Sequence, residues 1–199
     1  DPAAVQRFAS SLQREANRLG HIVQEIIELS RLQSATYVAD SGMVNLNEVI
    51  SDAIDRTQIA AEAKQMRVLT DTSEQVFVTG NYEQLAIAIT NLIENAINYS
   101  PENTKVSVTT EIEDGIVQIS VTDQGIGIPE SDQARIFERF YRVDPARSRE
   151  TGGTGLGLSI VKHVATKHGG DVSVWSAPAV GSTFALRLPI YSNTGETNS

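Results

Sequence analysis

The chain has 199 residues, with 16 Lys and Arg against 25 Asp and Glu, a formal net charge of −9 at pH 7 and 40% hydrophobic residues. That length suffices for one large domain, or one domain and a piece of another, and folding should bury roughly 70% of the surface its unfolded form exposes. The acid excess argues against a general nucleic-acid surface, the lack of cysteine excludes disulfides and thiolate zinc sites, and with no membrane-length apolar run and no signal-peptide pattern the chain is expected to be a soluble piece.

In residues 1–36 the apolar positions fall on a heptad, Val5, Leu12, Leu19 and Ile26 at one position and Phe8, Ile22 and Leu29 at the other. A helix of that extent is roughly 50 Å long at about 1.5 Å per residue, and its stripe needs other helices to cover it. No second arm exists elsewhere in the chain, so the segment reads as one half of a helical hairpin. Residues 37–46, with Asp40, Ser41 and Gly42, read as a linker, and 47–190 as the compact domain. Asn45 or Asn47 can cap a first helix through Val49, Ala53, Ile54 and Ile59. Strand-like segments follow around Val68–Leu69 and Val76–Val78, with a turn at Gly80–Asn81. The next helix runs from about Tyr82 to Tyr99 and is stopped by Ser100–Pro101. Thr104–Glu111 and Ile116–Thr122 alternate across Asp114–Gly115, a hairpin signal. Beyond Asp123 the chain is irregular to about Gly153. A helix from Leu156 to His168 ends at Gly169–Gly170, and strands Val172–Trp175 and Ser182–Leu188 close the domain before a loose tail, 191–199. The mixture predicts an α/β two-layer sandwich with helices on one face of a mostly antiparallel sheet.

Four elements carry candidate chemistry. Asn91, Asn95 and Asn98 stand at i, i+4 and i+7, a polar stripe on an otherwise apolar helix. Asn is a mediocre helix former, and three in register leave amides in need of partners. Their carboxamide oxygens suit Mg²⁺; caps or bridges to backbone are the structural alternative. Asp123-Gln124-Gly125-Ile126-Gly127 follows directly on a strand, where an Asp can accept from the exocyclic amine of a base and the glycines allow close approach, although plain turn chemistry uses the same residues. Gly153-Thr154-Gly155-Leu156-Gly157 opens a helix, whose free N–H groups and dipole favour phosphate. It is not a Rossmann fingerprint, because the required third glycine is replaced by Leu158 or Ile160, and no Gly-Lys pair exists for a Walker A loop. Between the two glycine elements, Arg139 to Arg149 holds four Arg and one Asp in an acidic chain, and Arg donates in pairs to phosphate oxygens. Phe137 and Phe140 are expected to anchor that loop to the core.

In this order, the Asn helix, Asp123-x-Gly125-x-Gly127, Phe137 to Arg142, Thr154-Gly155-Leu156-Gly157-Leu158 and Gly181-Ser182-Thr183-Phe184 resemble the N, G1, F, G2 and G3 boxes of sensor histidine kinases, with the greatest likeness to the PhoR-like phosphate-responsive type. The resemblance covers about Asn47 to Pro189, and residues 1–36 resemble the second helix of the family's dimerisation and histidine-phosphotransfer domain. It implies the Bergerat (GHKL) ATP-binding fold shared with DNA gyrase, Hsp90 and MutL proteins. It further implies that Asp123 binds the adenine amine, that Gly127 and Thr183 shape that pocket with Gly125 in the turn, and that Asn95 ligands Mg²⁺ beside Asn91 and Tyr99. Arg142 would reach the γ-phosphate, Gly153, Thr154, Gly155, Leu156 and Gly157 would cradle the phosphates, and 143–152 would form a lid. Catalysis would rest on Asn91, Asn95 and Arg142. Many relatives carry a basic residue where this chain has Asn98.

The implied activity is transfer of the ATP γ-phosphate to a histidine of the bundle and then to an aspartate of a response regulator, in a homodimeric sensor whose membrane anchor lies outside this chain and whose cytoplasmic portion this is. The family's acceptor precedes an acid, whereas His21, His163 and His168 precede Ile22, Val164 and Gly169. The chain is therefore expected to bind ATP without autophosphorylating. Another GHKL-type ATPase or serine kinase, or a non-catalytic nucleotide-binding regulatory module, are the alternatives; nucleic acid is not an expected partner.

Overall fold

Alternation on the strands and a 3.6-residue period on the helices sort the apolar residues onto one face of each element. The computed structural model describes residues 42–72, 75–144 and 154–192, and in the leading segment residues 5–6, 8–9, 12–13, 15–16, 19–20, 22–23, 26–27 and 30. Those leading residues are helical. Val5, Phe8, Leu12, Leu19 and Ile26 of the predicted seam are exposed, at 46–67% of their full surface. Leu29 and His21 lie outside the described residues.

The domain begins earlier than the sequence suggested. Strand β1 (Gly42–Asn45) pairs antiparallel with β3 (Phe77–Gly80), so residues 42–46, expected in the linker, belong to the fold. Four residues flanked by polar ones give too short a period to read as a strand, and only the pairing reveals it. Asn45 is the N-cap of helix α1 (Leu46–Ala63), its side chain accepting from the Asn47 N–H. Strand β2 (Arg67–Asp71) follows, then β3, then helix α2 (Tyr82–Tyr99), the predicted span. The hairpin is β4 (Lys105–Glu113) and β5 (Ile116–Thr122), turned by Asp114 and Gly115 at φ 49° and 78°. The stretch predicted as irregular contains one short helix, α3 (Glu130–Gln133). Helix α4 (Gly157–Lys167) and strands β6 (Asp171–Ala177) and β7 (Gly181–Pro189) complete the fold. The tail is tied down further than expected, since Ile190 bridges Val78 and the Tyr191 N–H donates to the Phe77 carbonyl.

The main sheet runs β2-β4-β5-β7-β6, with β2 parallel to β4 and every other pairing antiparallel. One face carries Val106, Val108, Val117, Ile119, Val121, Leu186 and Leu188, all buried. Against it pack Leu46, Val49 and Ile50 of α1, Leu85, Ile89, Leu92 and Ile93 of α2, and Ile160, Val161 and Val164 of α4. This is the predicted two-layer sandwich. Each fully buried Leu, Ile or Val contributes roughly 1.5–3 kcal/mol of transfer free energy.

Helix α4 ends in a Schellman motif, with Gly169 N–H to Thr166 O and Gly170 N–H to Ala165 O. Its cap residue, His168, is partly buried and packs against Gly80. His168 Nδ1 lies 2.8 Å from the Val164 carbonyl and Nε2 accepts from the Asn81 N–H at 3.1 Å. That pattern requires the neutral ring, with the proton on Nδ1. Burial, and then the neighbouring Lys167 charge, push its pKa below the usual value near 6.5, while the bond to Val164 opposes them. A depressed folded-state pKa gives stability that is present above the unfolded pKa and lost as pH falls through the folded one. Urea unfolding should therefore show a midpoint that declines as pH drops below about 6.5. His168→Gln should lower the midpoint at pH 8 and remove that decline; a decline that persists in the variant would place its origin elsewhere.

Candidate functional site

Helix α2 supplies one wall of a cavity because its two faces differ. Leu85, Ile89, Leu92, Ile93, Ala96 and Ile97 are buried in the core, while Asn91, Asn95 and Asn98, with Glu94 and Tyr99, line the opening. The Asn91 carboxamide nitrogen donates back to the Ile87 carbonyl at 2.9 Å. Its oxygen faces the first residue of α4: a Cβ on Gly157 would sit 2.5 Å from Asn91 Oδ1. The glycine lets the start of α4 close on the Asn stripe.

Asp123 directly follows β5, is 6% exposed and lines the cavity. Oδ1 accepts from the Gly125 N–H at 2.7 Å and the Ser182 N–H at 3.1 Å. Burial raises its pKa above the ordinary carboxylate value, and these two backbone bonds with the Ser182 hydroxyl oppose the rise. Ile126, Ile128, Ile136, Tyr141 and Phe184 give the surrounding wall an apolar surface. An apolar lining with a buried acceptor suits an aromatic heterocycle bearing an amino group.

The opposite end of the cavity is built on the start of α4. Its N-terminus has no side-chain cap among the described residues, and Thr154, Gly155, Gly157 and Leu158 line the cavity there. Unsatisfied first-turn N–H groups at the positive end of the helix dipole favour an anion. Gly155 adopts φ +80°, and a Cβ there would meet Phe140 Cα at 2.9 Å. Its carbonyl accepts from the Phe140 N–H at 2.9 Å, joining the two loops. Arg142, Val143 and Asp144 line the same opening. Tyr141 is held beside them by a hydrogen bond from its hydroxyl to the Asp132 carboxylate, with the Arg135 guanidinium 4.2 Å over its ring.

The structure thus brings Asn91, Asn95, Tyr99, Asp123, Gly127, Arg142, Thr154, Gly155 and Gly157 to one cavity. Three of the expected residues stand differently. Thr183 does not line it: in the β5–β7 register it pairs with Thr122, and the two hydroxyls meet at 3.0 Å on the sheet's other face. The inward position is its neighbour Ser182, as the two-residue period of a strand requires. Leu156 is fully buried, so any contribution from it is through backbone. Gly125 lies behind the cavity and serves the Asp123 carboxylate. Gly153, Arg147 and Arg149 lie outside the described residues. The expected aromatic anchor is half right. Phe137 packs edge-on against Phe184, centroids 6.5 Å apart, whereas the Phe140 side chain is 61% exposed at φ +63° and only its backbone holds the loop. Glu94, Ser182 and Phe184 also line the cavity, although the sequence assigned none of them a site role. Strand parity would have found the last two, and the three-residue step from Asn91 would have found Glu94. Among the described residues no cluster of His, Asp and Glu forms a metal centre, so a cation here would rely on carboxamides and a ligand's own oxygens.

Comparison with known proteins agrees with this geometry. The family profile described as "Histidine kinase-, DNA gyrase B-, and HSP90-like ATPase" matches residues 80–192. The sensor-like histidine kinase SenX3 of Mycolicibacterium smegmatis is 49% identical over 191 residues, which is 96% of this chain and 50% of SenX3. The phosphate regulon sensor protein PhoR of Pseudomonas aeruginosa is 32% identical over 182 residues, 92% of this chain and 41% of PhoR. The chain thus spans about half the length of the curated relatives it matches. Among solved structures, the mycobacterial sensor histidine kinase MprB superposes with a TM-score of 0.66 at 32% identity, covering 75% of this chain and 97% of that one. A fold of helices on a mixed sheet, a cavity built on the Asn helix and two glycine elements, and these likenesses place the chain in the family of histidine kinase-, DNA gyrase B- and HSP90-like ATPases, as a relative of the sensor histidine kinases.

Proposed function

We propose that the chain is the ATP-binding catalytic region of a sensor histidine kinase, which passes the γ-phosphate of ATP to a histidine on a dimerisation bundle and from there to an aspartate of a response regulator. The observation that carries this reading is the polarity of the cavity: a buried carboxylate in an apolar slot at one end, an uncapped helix start facing an Asn stripe at the other. A nucleotide laid along it puts its base amine on Asp123 and its phosphates on the N–H groups of 155–158. Arg142 and Asn95 flank the phosphate end. The carboxamide set suits a hard cation that keeps most of its shell as water and phosphate oxygen, so Asn95, with Asn91 adjacent, would hold Mg²⁺. When bound, that ion neutralises phosphate charge. The residues of the chain hold the chain of phosphates extended, exclude water with the apolar wall, and place Arg142 where charge develops on the transferring group. In the transfer, an imidazole nitrogen bonds to the γ-phosphorus as the bond to the bridging oxygen breaks and ADP leaves.

The exposed heptad stripe of residues 5–27 supports reading the first 36 residues as the second helix of the dimerisation and phosphotransfer domain, and the protein as a homodimer through that bundle. Of the chain's histidines, His168 is occupied structurally and none precedes an acid, so the acceptor is supplied from outside this chain. Among the described residues no helix is long and apolar enough to cross a membrane; the anchor of a membrane sensor would belong to the remainder of the protein.

Calorimetric titration of the chain with ADP and a non-hydrolysable ATP analogue tests the reading. Asp123→Asn exchanges an acceptor for a donor facing the amine and should weaken ADP binding by roughly 10- to 100-fold, the worth of one charged hydrogen bond, with the circular dichroism spectrum unchanged. Asn95→Ala should remove the gain in affinity on adding Mg²⁺. Arg142→Ala should spare ADP binding and slow the appearance of acid-labile phosphate on a supplied histidine-bearing bundle by at least about tenfold. Equal loss of ADP and analogue binding in that variant would contradict the γ-phosphate assignment, and a folded wild-type chain that binds neither nucleotide would contradict the reading as a whole.

A further inference from the structure

We infer that Lys64 is a positioning residue for base recognition in the nucleotide site, acting through the last turn of helix α2. The inference rests on the reading of the cavity as an ATP site. Helix α2 ends at Tyr99 without a glycine in the left-handed conformation: its C-cap, Ser100, is extended and is followed by Pro101. The last carbonyls of the helix are therefore left without the partners that a Schellman ending would supply. The Lys64 ammonium takes that place. Its Nζ donates to the carbonyls of Ile97 at 2.8 Å, Asn98 at 2.9 Å and Ser100 at 3.2 Å. Three donors on one cation meet three acceptors at the negative end of the helix dipole.

The remaining carbonyl of that turn, Tyr99 O, is used for something else. It accepts from the Ile126 N–H at 3.3 Å, and it lies so near Gly125 that a Cβ there would come within 2.6 Å of it. The helix end and the turn that follows Asp123 are thus one joint. The Gly125 N–H on the same turn holds Asp123 Oδ1. Lys64 itself is fixed from the other side: its N–H caps α1 on Ala61 and Glu62, and its carbonyl accepts from the Asn103 N–H at 3.1 Å. Its stem is half-buried, and desolvation pushes the ammonium below its usual pKa; the three carbonyls replace the water it gives up. Lys64 does not line the cavity, so its effect on a ligand passes through Tyr99 and the Asp123 turn. With the ammonium gone, the last turn of α2 frays, Tyr99 O drifts, and the carboxylate loses its fixed distance to the base.

The discriminating measurement compares ADP with inosine diphosphate, which shares the phosphates and lacks the exocyclic amine, by calorimetry with Mg²⁺ on the whole chain. Wild type should prefer ADP. Lys64→Met should bind ADP on the order of tenfold more weakly, an amount of the size of one hydrogen bond to a charged group, while inosine diphosphate binding stays within about twofold, so the preference collapses. Lys64→Arg, which retains a multivalent cationic donor, should restore it. A general loss of folded protein would weaken both nucleotides equally and leave the preference intact; that result, or an unchanged preference in folded Lys64→Met, overturns the inference. If Lys64→Met does not fold, Lys64→Gln, which keeps one donor group without the charge, is judged by the same ratio. A wild-type chain that binds ADP but does not distinguish it from inosine diphosphate overturns base recognition by Asp123, and one that binds no ADP overturns the nucleotide reading first.

Discussion

Helix α2 is held at both ends by side chains from distant parts of the chain, and the site depends on that clamp. At its start, Asn81 caps the Gln84 N–H while its own N–H donates to the His168 ring at the end of α4. At its finish, Lys64 from the end of α1 binds the terminal carbonyls. Between the two, one face is sealed into the core and the other presents three asparagines to the cavity. A helix with so polar a stripe has little to gain from burying it, so its rotation about its own axis is set by the apolar face and its translation by the two end contacts. The Asn stripe, the Asp123 turn and the start of α4 are all referenced to this one element.

The second constraint is electrostatic. Among the described residues Asp123 is the one buried charged side chain, and burial alone would favour its neutral form. Two backbone N–H groups offset part of that cost, one from its own turn and one from β7 across the sheet. Binding an amino group would supply a further donor to a carboxylate already desolvated, which makes the interaction stronger than at a surface. The same carboxylate is sensitive to geometry, because a buried charge that loses a donor regains no water.

At the end of the cavity proposed for phosphate, the described residues offer backbone N–H groups and an arginine. An uncapped helix start, an approach made possible by Gly157 against Asn91, and a loop joined to it through Phe140 and Gly155 are enough to bind and orient an anion. Phosphoryl transfer asks mainly for position and charge compensation, and the proposed reading divides the labour accordingly: one end of the cavity would choose the base, the other would align the phosphates. Tyr141 is pinned between Asp132 and Arg135 at the edge of the same opening.

Local chemistry was legible in the sequence. The span of α2, the hairpin at Asp114–Gly115, the C-cap of α4 and the order of the glycine elements all follow from periods and turn residues within a few positions of one another, and these sufficed for the two-layer sandwich and most of the cavity. What the tertiary structure alone decided are relations over long separations. The pairing of β1 with β3 turned an apparent linker into part of the fold. The register of β7 against β5 sent Thr183 outward and Ser182 inward, a shift of one residue that reverses which side chain faces the cavity. The outward turn of Phe140 follows from its left-handed backbone beside Gly155. Lys64 reaches its carbonyls across 33 to 36 residues, and His168 reaches Asn81 across 87. Periodicity states which face of an element is apolar; it carries no information on which distant side chain completes the hydrogen bonds at that element's ends, and those partners exist only once the layers have packed.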